Sequence, residues 1–361
     1  MHTPQLLWDL GTAYDLFMSL VVLHEPADFG ARGAWTAGVR ARIPEGKREI
    51  LEQSLELGYV PMHWIHTLPD PKDAITVLSA LGQISPIERL PVLALGPDEP
   101  EQTAEVLRKV AARQTWGDEE REALRQARTC EGKPPPSSKK LESILNWWSR
   151  AEEFGVRYLE ALRAYHEVFF AEEERRIQPV LKSALARAQE MAGQLAFPDL
   201  LEELSQGLRF SEPPDVAELV LVPSYWSTPL VVMSKASPER ALWLFGARPP
   251  DASLVPGEVV PDAMLRALKA LSDPTRLRIM RYLSIEPLTP AELARRLRLR
   301  APTVTHHLRS LRLAGLVRLT VGESKDDRRY AARPEAIATT CASLDTFLVE
   351  HVIADDTKPE D

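Results

Sequence analysis

The sequence predicts a mainly α-helical protein with small β elements, an α+β fold of more than one domain. Apolar residues recur every three or four positions through most of the first 200 residues, as in amphipathic helices. Short β-branched and aromatic runs follow near residues 217–245, and a second helical region begins after residue 261. The length of 361 residues is enough for two or three domains at about 150 residues each.

The N-terminal region is predicted to be mostly helical. The stretch LLWDLGTAYDLFMSLVVL, residues 6–23, carries apolar residues at helical spacing, and GKREILEQSLELG, residues 46–58, repeats the pattern. Three consecutive prolines within residues 131–140 cannot continue a helix, so this segment is predicted to be a turn or linker. From Leu141 to Met191 the spacing predicts one or two long helices.

Strand-like runs close the N-terminal region. The runs AELVLVPSYW, PLVVMSK and RALWLFG are separated by Pro, Ser and Gly, and we expect a small antiparallel sheet near residues 217–245. The predicted organisation is a domain over 1–250, a Pro/Gly-rich linker over 251–261, a second domain over 262–354 and an acidic tail over 355–361.

Charge is distributed unevenly along the chain, whose net charge is -8. Residues 261–333 hold 16 Lys and Arg against 7 Asp and Glu, whereas residues 1–260 hold 27 against 38. From Leu293 to Gly322 there are seven arginines and no carboxylate. A compact basic segment between acidic ones is the electrostatic pattern expected of a nucleic-acid contact.

The basic segment divides into helices and a hairpin. Asp273 before Pro274 is a predicted N-cap, and Thr289 with Glu292 forms a predicted capping box around Pro290. A further helix begins near Pro302, with a buried stripe formed by Val304, Leu308 and Leu311. Residues 316–321 and 328–332 are predicted to form a β-hairpin. Two helices joined by a short turn and followed by a hairpin describe a winged helix-turn-helix.

The segment from Met264 to Arg333 resembles the ArsR/SmtB family of bacterial repressors. The sequences DPTRLRI, VTHHL and L-x-x-AGLV stand in the order and spacing of that family. A weaker resemblance links LVLVPSYW and ALWLFGARP in the N-terminal region to long ArsR-like regulators. The resemblance implies a DNA-binding repressor whose recognition helix runs from Pro302 to Leu313.

The resemblance and the charge pattern together give a set of candidate contacts to duplex DNA. They are Arg300, Thr303, Thr305, His306, His307, Arg309 and Arg312 in and before the recognition helix, and Lys325, Arg328 and Arg329 in the hairpin. His306 is expected to contact either a base or a phosphate, and His307 either a phosphate or the protein interior. The family usually opens this helix with a serine. Ala301 and Pro302 stand here instead, which puts the N-terminal cap in doubt.

A terminal helix from Pro334 to Ala354 is predicted to form a homodimer interface together with the helix that begins near Met264. Its apolar positions alternate at three- and four-residue steps. The candidate interface residues are Leu265, Leu268, Ile337, Cys341, Leu344, Leu348 and Val352. The alternative, in which this helix packs on the N-terminal domain, stays open.

No cofactor, metal or catalytic residue is predicted. His63 and His66 form an H-x-x-H pair without a matching third ligand, so we read them as surface or packing residues. Cys341, Asp345 and His351 of the terminal helix depart from the spacing of the metal-sensing members that the resemblance brings in. All eight tryptophans lie before residue 244 and indicate either core packing or a pocket for an apolar small molecule.

The sequence as a whole predicts a cytoplasmic, homodimeric regulator with no membrane segment. Two widely separated cysteines argue against a disulfide framework, and the N-terminus lacks a basic region and a cleavage site. We predict a repressor that binds palindromic operator DNA and is not an enzyme, with release controlled by the N-terminal domain. The alternatives are a ligand-binding protein or enzyme in residues 1–260 with an autoregulatory winged helix, and a metal-sensing repressor.

Overall fold

Most of the N-terminal region folds as helices, as predicted. The structure, a computed structural model, describes residues 3–29, 31–57, 60–129, 136–254, 260–322 and 328–355. The helices of this region are α1 (Thr12–His24), α2 (Pro26–Phe29), α3 (Gly33–Ala41), α4 (Glu45–Glu56), α5 (Met62–Thr67), α6 (Ala74–Gln83), α7 (Pro86–Ala94), α8 (Glu101–Arg113), α9 (Asp118–Ala127), α10 (Ser138–Trp148), α11 (Ala151–Tyr165), α12 (Ala171–Ala192) and α13 (Phe197–Leu204).

Helix α1 lies at the centre of the largest apolar core. All but two of its thirteen residues are buried, and such a helix must be surrounded by other elements. Its polar Ser19 is satisfied inside the core, where Oγ receives a hydrogen bond of 2.7 Å from the hydroxyl of Tyr165 on α11. The one or two long helices predicted from Leu141 to Met191 are three helices, α10, α11 and α12, with a π-helical turn at His166–Phe170 between α11 and α12.

A four-stranded sheet completes this region, and it is mixed rather than antiparallel. Its strands are β1 (Gln5–Trp8), β3 (Glu218–Ser224), β5 (Arg240–Gly246) and β4 (Val232–Ser237), in that spatial order. β3 pairs in parallel with β1 and β5, and only β4 runs antiparallel to its neighbour β5. The prediction of an antiparallel sheet was wrong because β4 does not lie between β3 and β5. It pairs instead with the edge of β5 that faces away from β3. This order places β3 and β5 side by side in parallel, and β3 is buried from Leu219 to Ser224.

The first predicted helix is also shorter than its periodicity indicated. Residues 5–8 form β1, and α1 begins only at Thr12, after Gly11. A side chain at Gly11 would meet the backbone oxygen of Lys72 at 2.5 Å, so this position holds the chain closely against the segment before α6. Alternating and helical spacing are hard to distinguish in so short an apolar run.

The basic C-terminal segment forms the predicted winged helix-turn-helix. Its elements are α14 (Asp262–Leu271), α15 (Pro274–Leu283), α16 (Pro290–Leu297), α17 (Ala301–Leu313), β6 (Val317–Val321), β7 (Arg329–Ala332) and α18 (Pro334–Asp355). The capping box is present, since Thr289 accepts from the amide of Glu292 and Glu292 accepts from the amide of Thr289 at 2.8 Å. Asp273 caps α15 through the amide of Arg276 at 2.9 Å. The α+β fold class is thereby confirmed.

The N-terminal region contributes a strand to the sheet of the winged helix. β2 (Leu208–Phe210) pairs in parallel with β6, which pairs antiparallel with β7. Gly207, at φ +101°, immediately precedes this strand, and its carbonyl accepts from the amide of Leu319 at 2.8 Å. The division at residues 251–261 stays a prediction, and residues 255–259 of that linker lie outside the described residues.

Candidate nucleic-acid interface

Helix α17, the recognition helix hereafter, is held in place by one fully buried face. Val304, Leu308 and Leu311 are 0% exposed and pack in the core that α14, α15 and α16 share with β6. Burial of such side chains contributes roughly 1.5–3 kcal/mol each. The helix is therefore a rigid support for the residues on its other faces.

The side chains that point away from this core are those expected to contact DNA. Arg300, Thr303, Thr305, His306 and Arg309 are all exposed. Thr305 also donates from Oγ1 to the carbonyl of Ala301 at 3.0 Å. Together they form a surface of hydroxyl, imidazole and guanidinium groups without a carboxylate on the helix, which suits the acceptor-rich major groove of a duplex.

The start of the recognition helix lacks a side-chain cap. Arg300 occupies the N-cap position in extended conformation, and its side chain accepts no hydrogen bond from the first turn. Pro302 stands in that turn and has no amide hydrogen to donate. The sequence put the N-terminal cap in doubt at Ala301 and Pro302, and the structure shows that the first turn of this helix has no side-chain cap.

His307 occupies a different environment from its neighbour His306. Its side chain is largely buried, and Nδ1 lies 4.0 Å from Oδ1 of Asp273, the N-cap of α15. The amide of Arg276, the largest cause, and the nearby positive groups hold the pKa of the Asp273 carboxyl below its usual range. His307 therefore lies between the two helices, at the edge of the surface formed by His306.

Arg312 does not face the DNA side, and this corrects the sequence prediction. Its Nη1 and Nη2 donate to the carbonyls of Gln206 and Ser205 at 2.9 and 2.7 Å. Burial lowers the pKa of Arg312 to about 10, and the neighbouring Arg333 acts in the same direction. On a helix of about 100° per residue, Arg312 lies only about 40° from Leu308, so it continues the buried side.

The hairpin, or wing, carries two of its three predicted contact residues within the described part of the chain. Arg328 and Arg329 are exposed, and Arg329 donates to the carbonyl of Pro287 at 3.3 Å. Its guanidinium also lies 3.6 Å from Glu292. Lys325 lies outside the described residues. The wing is fixed on its other edge by β2, a contact that the sequence did not predict.

The predicted dimer residues divide into two groups. Leu265 and Leu268 on α14 and Ile337 and Leu344 on α18 are half-buried, and Ile337 packs on the winged-helix core. Cys341 is exposed, and Leu348 is 57% exposed. The neighbouring Val349, which was not among the predicted residues, is 58% exposed. The side chain of Val352 lies outside the described residues. The middle of α18 thus presents apolar side chains to solvent in this single chain.

The two histidines of the H-x-x-H pair, His63 and His66, form separate hydrogen bonds within the N-terminal region. His66 donates from Nδ1 to Asp9 at 2.8 Å, whereas His63 donates from Nε2 to the carbonyl of Val92 at 3.0 Å. Burial raises the pKa of Asp9, but His66, Lys72 and Tyr14 outweigh it and lower the value to about 2. Within the described ranges, no cluster of three or more His, Cys, Asp or Glu residues is arranged to hold a metal.

The tryptophans pack in the apolar cores. Trp64, Trp147, Trp148, Trp226 and Trp243 are buried, and Trp226 stacks on Trp35 with ring centroids 6.1 Å apart. This arrangement agrees with the core-packing alternative. None of the helices in the described part of the chain is both long and apolar enough to cross a membrane.

Comparison with known families agrees with this geometry. Residues 271–320, which include α15, α16, α17 and most of β6, match the helix-turn-helix domain family. A comparison with curated proteins gives no match for the chain. The fold and the match together define a DNA-binding regulator that carries a winged helix-turn-helix.

Proposed function

We propose that this chain is a cytoplasmic transcriptional repressor of the ArsR/SmtB type that binds palindromic duplex DNA as a homodimer. The observation that carries the proposal is the recognition helix itself. One face is fully buried at Val304, Leu308 and Leu311, and the opposite side exposes Thr303 and His306. A helix that is fixed on one side and polar on the other can insert into the major groove without losing its own packing.

The charge around the helix supports a duplex as the partner. Arg300 and Arg309 flank the polar side chains, and Arg328 and Arg329 extend the positive surface onto the wing. Contacts to phosphates position the protein on the duplex, and contacts to base edges select the sequence. We assign the first role to the four arginines and the second to Thr303 and His306.

Dimerisation is proposed to occur through α18. Cys341, Leu348 and Val349 expose apolar surface along the middle of this helix, and an isologous pairing would cover it. Pairing about a two-fold axis sets two recognition helices about 34–36 Å apart, which is one turn of the duplex. The operator is accordingly expected to be palindromic.

Residues 1–250 are proposed to control DNA binding rather than to catalyse a reaction. The shared sheet of β2 and β6 gives this region direct contact with the wing. The buried Asp15 accepts from the amides of Tyr225 and Trp226, and the half-buried Glu174 accepts from the amide of Ala74. These hydrogen bonds give both carboxylates a structural role, which supports a regulatory rather than a catalytic function for this region.

Selection of bound genomic fragments by the full-length protein tests the proposal. Fluorescence anisotropy then compares the selected duplex with a shuffled duplex of the same composition. We expect at least about 1000-fold tighter binding to the selected duplex. A reporter gene behind the selected sequence should be expressed less when the protein is present. Equal affinity for both duplexes would contradict sequence-specific binding, and a rise in reporter expression would contradict repression.

A further inference from the structure

A groove of about 1100 Å³ separates the N-terminal region from the helices of the winged helix-turn-helix. One wall comes from α12, α13 and the segment after β5, and the other comes from α14, the end of α17 and α18. Its apolar lining includes Met191, Leu195, Phe245, Pro249, Met264 and Ala267. The groove therefore touches both parts of the protein, including the two helices assigned to dimerisation.

Arg248, which lines the groove, is a buried cation with an unused hydrogen-bond donor. The residue is 7% exposed, and Nη2 donates to the carbonyl of Thr228 at 3.1 Å. Nη1 is buried and has no hydrogen-bond partner among the described residues. Burial, together with nearby Arg266, lowers the pKa of Arg248 to about 10, so the group remains charged at neutral pH. The guanidinium also lies 5.7 Å from the centroid of the Tyr225 ring, but neither this contact nor Thr228 satisfies Nη1. A buried donor of a charged group is costly to leave unsatisfied, and an anion would satisfy it.

Arg266 places a second guanidinium on the same groove. It donates from Nη1 to the carbonyl of Leu313 at 3.2 Å and from Nη2 to the carbonyl of Phe29 at 3.3 Å, while Nε has no partner among the described residues. Like Arg248, it forms no ion pair with a described carboxylate. Its bond to Leu313 connects the groove directly to the last turn of the recognition helix.

The carboxylates of the groove do not neutralise these two arginines. Glu202 pairs with Arg209 and Arg318, and Glu335 pairs with Arg333. Asp199 also pairs with Arg209 at 3.2 Å, and Glu190 and Glu203 are exposed at the rim. The buried carboxyl of Asp262 offsets part of the charge on both arginines, but it forms no ion pair with either one among the described residues. Arg248 Nη1 and Arg266 Nε therefore remain without hydrogen-bond partners there, beside apolar lining.

We propose that this groove binds an amphipathic organic anion whose acidic group contacts Arg248 and Arg266 and whose apolar body lies along α12 and α14. A guanidinium binds carboxylate, sulfonate and phosphate groups through charge-assisted hydrogen bonds, and the apolar lining contributes burial. Ligand binding in this groove lowers the affinity of the protein for DNA, because the ligand competes for the hydrogen-bond donors of Arg266 and contacts α14 and α18. This second step rests on the proposed function, whereas the ligand site does not.

A pair of fluorescent probes tests the site without DNA. Anilinonaphthalene sulfonate is an amphipathic anion, and N-phenyl-1-naphthylamine is its neutral counterpart without the sulfonate. We expect the full-length protein to bind the anionic probe and decanoate to displace it. Arg248→Met should weaken binding of the anionic probe by at least about tenfold and leave the neutral probe within about twofold.

A second pair of variants covers the outcome in which Arg248→Met does not fold. Thr339 is exposed and lines the groove on α18, and Thr346 is an exposed threonine of the same helix outside it. Thr339→Trp should block the anionic probe, whereas Thr346→Trp should not. Absence of saturable binding to the native protein, or equal loss of both probes in folded Arg248→Met, would overturn the site.

DNA binding is then measured with and without saturating decanoate. We expect affinity for the selected duplex to fall at least about fivefold in the native protein and to stay unchanged in Thr339→Trp. If the probe binds and decanoate does not change the affinity for DNA, the proposed coupling between the groove and DNA binding is wrong, whereas the proposed ligand site is supported. If the probe binds and the protein shows no DNA binding at all, the proposed function is wrong instead.

Discussion

The guanidinium of Arg312 donates a hydrogen bond of 2.7 Å to the backbone carbonyl of Ser205. The two residues are 107 positions apart in the chain, and they join the end of the recognition helix to the turn between α13 and β2. Together with the pairing of β2 and β6, this contact makes the N-terminal region part of the support of the DNA-binding surface. The end of α13 is therefore anchored directly to the last turn of α17.

Arg309 and Arg312 are expected to respond oppositely to the same substitution. Arg312→Met leaves the carbonyls of Ser205 and Gln206 without their donors and should lower the free energy of unfolding by about 1–3 kcal/mol. Arg309→Met, at an exposed position, should lower stability by less than Arg312→Met does and weaken binding to every duplex. Urea unfolding and fluorescence anisotropy on both variants measure the two effects. Normal stability of Arg312→Met with a large loss of DNA affinity would restore the original assignment of Arg312 to the DNA surface.

Thr303 and His306 are expected to determine sequence preference. Replacing either with alanine should cost about 1–3 kcal/mol on the selected duplex and little on a shuffled one. Arg328→Ala and Arg329→Ala should instead weaken both duplexes by similar factors, because phosphate contacts carry no base identity. Anisotropy titrations of the four variants against both duplexes distinguish these patterns. Equal losses on the two duplexes for Thr303→Ala and His306→Ala would assign base reading to other residues.

The exposed side of α18 is expected to form the dimer. Leu344→Glu combined with Leu348→Glu should give a folded monomer that binds the palindromic duplex far more weakly, because charged residues would be buried in the pairing. Leu277→Glu is the matched control, since Leu277 is 50% exposed on α15. Sedimentation velocity and circular dichroism measure association and folding. A double variant that stays dimeric would move the interface to another surface.

Asp15 is expected to make stability depend on pH. Complete burial raises the pKa of its carboxyl to about 6, against hydrogen bonds from Trp226, Ser224 and Tyr225 that lower it. A pKa above the unfolded value of 3.8 means that this group favours the fold most below about pH 4. Its contribution then falls by about 2–3 kcal/mol as the pH rises to about 6.

The difference between the native protein and Asp15→Asn isolates this effect. Thermal unfolding between about pH 4 and 7 should show the stability of the native protein falling relative to that of the variant as the pH rises. Ser19→Ala, which changes another buried polar residue of α1, should follow the native pH dependence. Parallel curves for the native protein and Asp15→Asn would show that the carboxyl titrates at its ordinary value.

The local features of the winged helix were predictable because their signals lie within a few residues. The capping box of Thr289 and Glu292, the cap at Asp273 and the stripe through Leu308 are all sequence neighbours, and each is present. The helical spacing also indicated that Arg312 lies near Leu308, a signal that the basic character of the segment concealed.

The long-range pairings could not be predicted in the same way. β1 pairs with β3 more than 200 residues later, and the three-residue β2 pairs with β6 about 110 residues later. A run as short as Leu208–Phe210 has no periodicity to distinguish it from a turn, and its strand conformation is set by its partner. The groove lies beside the pairing of β2 with β6, so it could not be predicted from the sequence either.

The salt dependence of DNA binding tests the central claim most directly. The seven arginines between Leu293 and Gly322 are accompanied by no carboxylate, and at least Arg300 and Arg309 lie exposed on or beside the recognition helix. If this surface neutralises phosphates, the logarithm of the affinity should fall linearly with the logarithm of the salt concentration. A slope of about -4 to -8 is expected for a dimer, with the selected duplex bound more tightly than the shuffled one throughout. A slope near zero, or no binding to duplex DNA at low salt, would contradict the account.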